Sequence, residues 1–183
     1  MRIITGIYKG RSIRTVGGLS VRPATDRVRQ TIFNILATRM AFEGISVLDL
    51  FAGSGSLGLE ALSRGAARAV FVESGREAAE CIRTTLEEYG CADSARVVCD
   101  DAGYFLQLEN DTYDLVFADP PYAFAGTADL PRQIFSANLV RPGGYLLIEH
   151  AHVLSFASTD LYTAGPAKRF GRTIVTFFQK AAS

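Results

Sequence analysis

The residues best suited to chemistry in this chain stand together in Asp119-Pro-Pro-Tyr122. Two consecutive prolines lock φ and remove two backbone donors. The segment therefore presents a carboxylate and carbonyls, all of them acceptors, beside the flat aromatic face of Tyr122. Acceptors next to a stacking ring suit a planar base that carries an exocyclic amino group. The same residues would also serve as a rigid turn leaving a buried strand.

A second group surrounds Gly53-Ser-Gly-Ser-Leu-Gly58. Gly53 and Gly55 permit positive φ and let a ligand approach the bare backbone. The helix expected to follow points free N–H groups at that ligand. Glu73 lies twenty residues after Gly53, where an acid accepts hydrogen bonds from ribose hydroxyls. Asp49, Glu73 and Asp101 fall at or near the ends of three successive expected strands. Asp49 could tie down the glycine loop through backbone N–H groups, and Glu73 and Asp101 could serve as helix caps. Taken together, the acids and the glycine loop predict a nucleoside-containing cofactor. The glycine spacing by itself suits a dinucleotide equally.

These residues need a scaffold that brings them to one edge. From Ser46 onward, short apolar runs alternate with helical patterns. Strands are expected at Ser46–Leu50, Ala69–Glu73, Arg96–Cys99, Tyr113–Ala118 and Tyr145–Glu149. Helices are expected at Ser56–Arg64, Arg76–Tyr89, Ala102–Glu109 and near Leu130–Ser136, and Arg141-Pro-Gly-Gly144 reads as a turn before the fifth strand. The pattern predicts an α/β, doubly wound parallel sheet covered on both faces. Leu161–Phe170 and Thr173–Gln179 flank Gly171 as a hairpin, so the sheet is expected to end antiparallel. In such sheets ligands bind beyond the carboxyl ends of the strands. Ahead of this, residues 2–22 read as a short β-ribbon whose return strand runs through Ile13 and Val16. Thr25 is a candidate N-cap for a helix running to about Met40, with Val28, Ile32, Ile35 and Leu36 on one face.

The chain has 183 residues, of which 48% are hydrophobic and 21% charged, which predicts a single globular domain over 1–183 with residues 1–24 as a basic appendage within it. No apolar run approaches a membrane span, and Met1-Arg-Ile-Ile-Thr-Gly6 lacks the apolar core of a signal peptide. Cys81, Cys91 and Cys99 are odd in number and lack metal-ligand spacing, so a reduced cytoplasmic protein is expected. His150 and His152 suggest no role, and two histidines without a third ligand predict no metal site.

Net charge is zero, but its distribution is uneven. Residues 1–40 carry eight basic side chains against Asp26 alone, a net +7, and the remainder carries −7. The basic residues include Arg2, Lys9, Arg11, Arg22, Arg27 and Arg29. Their reading is either a solvated basic surface or a polyanion-binding face. The preponderance of arginine, whose planar fork suits phosphate, favours nucleic acid.

Val47-Leu-Asp-Leu-Phe-Ala-Gly-Ser-Gly55, Glu73, Asp101-Ala102 and Asp119-Pro-Pro-Tyr122 resemble S-adenosylmethionine-dependent amino-group methyltransferases of the Rossmann-like class. Arg2-Ile-Ile-Thr-Gly6, Gly10-Arg11 and Arg22-Pro-Ala-Thr-Asp-Arg-Val-Arg-Gln-Thr-Ile-Phe-Asn34 sharpen the resemblance to the RsmD family, which methylates guanine N2 in bacterial 16S ribosomal RNA. The Arg-Pro-x-Thr-Asp-Arg segment joined to the other two motifs is the specific part. Lys168-Arg-Phe-Gly-Arg-Thr173 fits the family's closing hairpin only loosely.

The resemblance implies S-adenosyl-L-methionine as cofactor. Gly53 and Gly55 would face its amino-acid end, Glu73 the ribose and Asp101 the adenine amino group, with Asp49, Phe51, Ala52 and Ala102 alongside. It also implies 16S rRNA as partner, in a partly or fully assembled small subunit, for an enzyme expected to be monomeric. Asp119 and the Pro120 carbonyl would accept the N–H bonds of the target amine while Tyr122 stacks on the flipped base. An adenine-N6 methyltransferase would use the same acceptors. A protein glutamine methyltransferase would typically start this loop with Asn, and a dinucleotide oxidoreductase leaves Asp119–Tyr122 without a task. A non-catalytic RNA-binding assembly factor is the reading from another class.

Overall fold

The computed structural model describes residues 1–18 and 23–181. Five parallel strands, β1 (Ser46–Leu50), β2 (Arg68–Val72), β3 (Ala95–Val98), β4 (Tyr113–Ala118) and β5 (Val140–Ala151), are extended by the antiparallel β6 (Tyr162–Phe170) and β7 (Thr173–Lys180). The order is β3-β2-β1-β4-β5-β7-β6. The chain reverses direction across the sheet between β1 and β4, and a crevice opens at such a switch point. The glycine loop follows β1 and Asp119 follows β4, so the topology alone brings the two motifs face to face.

Helices α1 (Pro23–Ala37), α2 (Ser56–Ser63) and α3 (Arg76–Tyr89) cover one face, and α4 (Ala102–Leu108) and α5 (Leu130–Ser136) the other. β1 is buried at every position. Its alternate residues feed two cores, Val47 into one with Ile32, Phe33, Leu36 and Ile82, and Leu48 and Leu50 into the other with Phe105 and Ile134. α3 ends where Gly90, at φ 71°, lets Cys91 N–H bond back to Leu86 C=O at 3.0 Å, a Schellman closure.

Three expectations need adjustment. The Arg141-Pro-Gly-Gly144 turn lies inside β5 as a bulge, because the register with β4 steps from Tyr113↔Val140 to Leu115↔Tyr145. Arg141 there pairs with Asp114 at 3.0 Å, and a Cβ on Gly144 would stand 2.8 Å from the Asp114 carbonyl. α1 starts at Pro23, so Thr25 falls in its first turn, and it stops at Ala37 rather than near Met40. Pro at a helix start loses no bond the helix needs. Among the described residues the amino-terminal ribbon pairs only around Arg2↔Ser12, with Ile3 N–H on Arg11 C=O and Ile13 N–H on Met1 C=O, both at 3.0 Å, and Val16–Gly18 forms a 3₁₀ turn instead of continuing the return strand.

That ribbon is nonetheless anchored. Ile3 and Ile13 are buried in the α1–α3 core. Glu60 of α2, fully buried, accepts Ile4 N–H at 2.8 Å and Thr5 N–H at 3.0 Å. At the turn, Gly6 has φ 89° and its Cα edge lies so close to the Ser63 carbonyl that a Cβ would approach it to 1.7 Å.

Candidate active site

A cavity of about 1370 Å³ opens at the carboxyl ends of β1, β2, β4 and β5. Its lining includes Phe51, Gly53, Glu73, Asp101, Ala102, Asp119, Pro120, Tyr122 and Arg27. Nine of the residues singled out from the sequence therefore meet in one space, although the first and last are 95 positions apart in the chain.

One wall is the glycine loop. Phe51 holds φ 57°, a conformation costly for a non-glycine residue, on the order of 1–3 kcal/mol, and its ring rests 5.1 Å from Phe124. Gly55 N–H bonds to Ala52 C=O at 2.7 Å, and Gly55, at φ 72°, caps α2. Glu73 fastens the loop: one carboxylate oxygen accepts Gly53 N–H at 2.8 Å and the other Gly75 N–H at 2.7 Å. A Cβ on Gly53 would meet no atom closer than 4.0 Å, so this edge of the backbone is open to a ligand. Asp101 caps α4 by accepting Tyr104 N–H at 3.1 Å and still faces the cavity. The cap and ligand readings of Asp101 are therefore compatible.

Asp49 is placed differently. It is 2% exposed, lies beneath the loop and accepts Gly58 N–H at 2.9 Å. Burial pushes its carboxyl up to about 8, against the Gly58 bond and with the charges of Asp119 and Glu73 adding to the rise. Asp49 thus supports α2 from below and does not line the cavity. Ala52 and Gly55 likewise shape the loop from within.

The opposite wall is the acceptor loop. The Pro121 carbonyl closes a turn with Phe124 N–H at 2.8 Å. Among the described residues no protein donor reaches the Pro120 carbonyl. Asp119 lines the cavity, and the protein around its carboxyl pushes it up to about 6. Tyr122 is 76% exposed, and its hydroxyl sits 2.6 Å from Thr173 Oγ1. Its ring face is free to stack.

Sequence reading missed Glu149. It stands at the cavity end of β5, one residue past the Ala118↔Ile148 pair and hence beside Asp119. Burial, reinforced by the Asp119 charge, pushes it up to about 7. The signal that marked Glu73, an acid closing a buried strand, marks Glu149 too. Neighbouring His150 is buried with Nε2 2.8 Å from Thr176 Oγ1. The hairpin residues Arg169, Phe170, Gly171 and Thr173 also reach the cavity. With Glu73, Asp100, Asp101, Asp119 and Glu149 on its lining, the space is strongly acidic and suits a ligand carrying positive charge.

The basic amino-terminal residues divide. Arg27 lines the cavity. Arg29 is 2% exposed, donating to the Arg2 carbonyl and to Asp26 at 3.2 Å, so its guanidinium is an internal strut and meets no phosphate. Arg11 donates to the Glu88 and Tyr89 carbonyls and lies 4.3 Å over the Tyr89 ring. That is the last turn of α3, whose 14 residues carry it roughly 20 Å from the crevice. Lys9 lies in the Gly6–Gly10 turn next to Arg11, its N–H on Gly6 C=O at 3.2 Å, and Arg2 donates to Gly10 C=O at 2.8 Å. Arg22 lies outside the described residues. Among the described residues no group of three His, Cys, Asp or Glu side chains is placed to hold a metal ion, and no helix is long and apolar enough to cross a membrane.

Comparison with known proteins places this geometry in context. The family described as conserved hypothetical protein 95 matches residues 1–179. YlbH of Bacillus subtilis is 35% identical over 185 aligned positions, 98% of this chain and 99% of that one. Ribosomal RNA small subunit methyltransferase D of Escherichia coli K12 is 43% identical over 122 positions, 67% of this chain and 60% of that one. The solved structure of yhhF from Escherichia coli superposes with a TM-score of 0.88 at 31% identity, covering 100% of this chain and 99% of the other.

Proposed function

Because the chain belongs to the conserved hypothetical protein 95 family, the RsmD-type, S-adenosylmethionine-dependent rRNA methyltransferases, we propose that it methylates the exocyclic N2 amine of a guanine in 16S rRNA. The observation that carries this reading is the loop of unspent acceptors, Asp119 and the Pro120 carbonyl, beside an exposed Tyr122 and across one cavity from the glycine loop.

S-adenosylmethionine, when bound, supplies a methyl group on a sulfonium. The residues present fit it. Gly53 offers an open backbone edge, Glu73 has lone pairs left for ribose hydroxyls, and Asp101 and Ala102 line the same wall. The acidic lining complements its positive charge. Asp49 contributes indirectly, by fixing Gly58.

The N2 amine of guanine is a weak nucleophile because its lone pair is delocalised into the ring. In this reading Asp119 and the Pro120 carbonyl each accept one of its N–H bonds, which turns the lone pair toward the methyl carbon. With the cofactor bound, the amine would take its methyl group, and the Asp119 carboxylate would stabilise the positive charge that grows on nitrogen. The amine becomes acidic as it is alkylated, and the surplus proton leaves through Asp119 to solvent. Tyr122 stacks on the extruded base. Arg27, at the rim, approaches the backbone of the RNA. We further propose that the substrate is a partly or fully assembled small subunit, that the protein acts as a monomer, and that it works in the cytoplasm.

The deciding experiment incubates the protein with S-adenosylmethionine labelled in the methyl group and small ribosomal subunits from a host lacking this enzyme. Labelled N2-methylguanosine is expected. Label in N6-methyladenosine would replace the substrate, and absence of label despite cofactor binding would overturn the RNA reading. For Tyr122→Ala, loss of stacking worth about 1–3 kcal/mol predicts a roughly 5- to 150-fold fall in turnover with an unchanged unfolding midpoint. Tyr122→Phe, which keeps the ring, should stay near wild type; full activity in the alanine variant would remove the stacking role.

A further inference from the structure

We propose that the tip of the β6–β7 hairpin, bearing Lys168, Arg169 and Arg172, is a clamp for the phosphate backbone of the RNA flanking the base held in the cavity. This rests on the RNA reading above and names the surface that meets the strand.

Position comes first. β7 pairs antiparallel with β5, with His150 opposite Ile174 and Ala151 opposite Thr173. The tip therefore lies just past the carboxyl end of β5, at the crevice mouth, and Arg169, Phe170, Gly171 and Thr173 line the cavity itself. Two contacts hold it there: His152 N–H donates to the Arg172 carbonyl at 3.3 Å, and the Thr173 hydroxyl meets that of Tyr122 at 2.6 Å. A strand gripped by the tip would be fixed relative to the ring that stacks on its base.

Charge is the second observation. Lys168, Arg169 and Arg172 are exposed, and among the described residues none forms an ion pair. Arg14, Arg68, Arg83, Arg96, Arg132 and Arg141 do form ion pairs, and of the other exposed cations without one, Arg2, Lys9, Arg11, Arg39 and Arg76 do not line the cavity. Arg169 spends only its Nε, donating to Gly171 C=O at 2.9 Å, which leaves both terminal nitrogens as a fork for a phosphate. The third observation is the acidity of the cavity. The carboxylates on its lining, Glu73, Asp100, Asp101 and Asp119 among them, would repel a polyanion unless cations at the mouth compensate. The tip and Arg27 supply that compensation from two sides, whereas Lys9 and Arg11 lie at the far end of the sheet.

The test measures binding of the full-length protein to a 16S rRNA transcript as salt is varied, with methylation kinetics alongside. In the variant Lys168→Ala/Arg169→Ala/Arg172→Ala the slope of log K against log salt should shrink by roughly 1 per lost phosphate contact, about 3 in all. KM for RNA should rise about tenfold or more. S-adenosylmethionine affinity and the unfolding midpoint should match wild type. Arg169→Lys/Arg172→Lys, which keeps the charge, should recover most of the slope. An unchanged slope in the triple alanine variant, with the wild type still methylating RNA, overturns the clamp and leaves the proposed function standing. A loss of slope in Lys9→Ala or Arg11→Ala instead also overturns it, moving the interface to the opposite end. A wild type that methylates no RNA removes the function reading and the clamp together.

Discussion

Replacing Asp119 by alanine should lower kcat by about 10²–10³, the scale of removing one preorganised polar partner from a developing charge. The cavity gives the reason. Asp119 leaves β4 at the switch point and is followed by two prolines that hold its direction, with the Pro120 carbonyl as the second acceptor. Nothing in the glycine-loop wall depends on it, since Gly53 and Gly75 are held by Glu73. S-adenosylmethionine affinity should therefore stay within a few-fold of wild type, and isothermal titration checks this. A collapse of cofactor binding would reassign Asp119 to that wall. Asp119→Asn keeps one acceptor oxygen but adds donors facing the amine, and its activity should fall between the two.

The same carboxyl predicts a pH profile. Asp119 is pushed up to about 6 and Glu149 to about 7. A protonated Asp119 donates where it must accept, so kcat/KM should climb as pH rises from about 5 to 8 and then level. Stability runs the other way. A carboxyl whose folded-state value is raised holds its proton where the unfolded chain has lost it. Its contribution is fully present below the unfolded value near 4 and is lost as pH rises through the raised one. Asp49, at about 8, extends that window further. Burial is what raises Asp119, and Glu149 ionises after it, so Glu149→Gln should leave the midpoint of the activity profile near 6; a shift to lower pH would show that the Glu149 charge acts on Asp119.

Much of this was legible in the sequence because period and punctuation carried it. The strands at Ser46–Leu50 and Tyr113–Ala118 and the helices at Arg76–Tyr89 and Leu130–Ser136 fall where apolar runs and glycine stops place them. The sheet ends antiparallel, as the Gly171 hairpin implies. The bulge in β5 was not legible. Arg141-Pro-Gly-Gly144 is a turn by composition, and only pairing with β4 at both of its ends, Val140 with Tyr113 and Tyr145 with Leu115, draws the segment into a strand. Glu149 was missed for another reason: like Glu73 it closes an expected strand, but no glycine loop or proline pair stands beside it to draw it into the site. Charge counting was the weakest guide. It gathered Lys9, Arg11 and Arg27 into one cluster, whereas the fold sends the first two to one end of the sheet and the third to the other.

Arg29 shows where a finer reading was available, and it leads to the second large effect. It stands three, four and seven positions before Ile32, Phe33 and Leu36, on the face of α1 that must turn inward. An arginine there needs a buried anion, and the partner, Glu60, lies 31 residues away on α2, with its carboxylate 3.8 Å from Arg29 Nε. Glu60 is 0% exposed and also bonds Arg64 Nε at 3.0 Å and two ribbon N–H groups. Glu60→Ala should therefore cost about 3–5 kcal/mol in urea unfolding, the range for removing one member of a buried pair. It leaves the buried Arg29 with Asp26 but without its fully buried carboxylate, with Nε and one terminal nitrogen already lacking a hydrogen bond, and frees the Ile4 and Thr5 amides. Adding Arg29→Met to the variant should recover part of the loss, because a buried charge that keeps only the half-exposed Asp26 is then gone; the share that stays lost measures the anchoring of the ribbon. A loss below about 1 kcal/mol in Glu60→Ala would mean that solvent reaches the network. α1 also carries Arg27, Val28 and Thr31 to the cavity wall. Loosening it should raise KM for RNA before it lowers kcat, which steady-state kinetics of Glu60→Ala at a temperature where it stays folded would check.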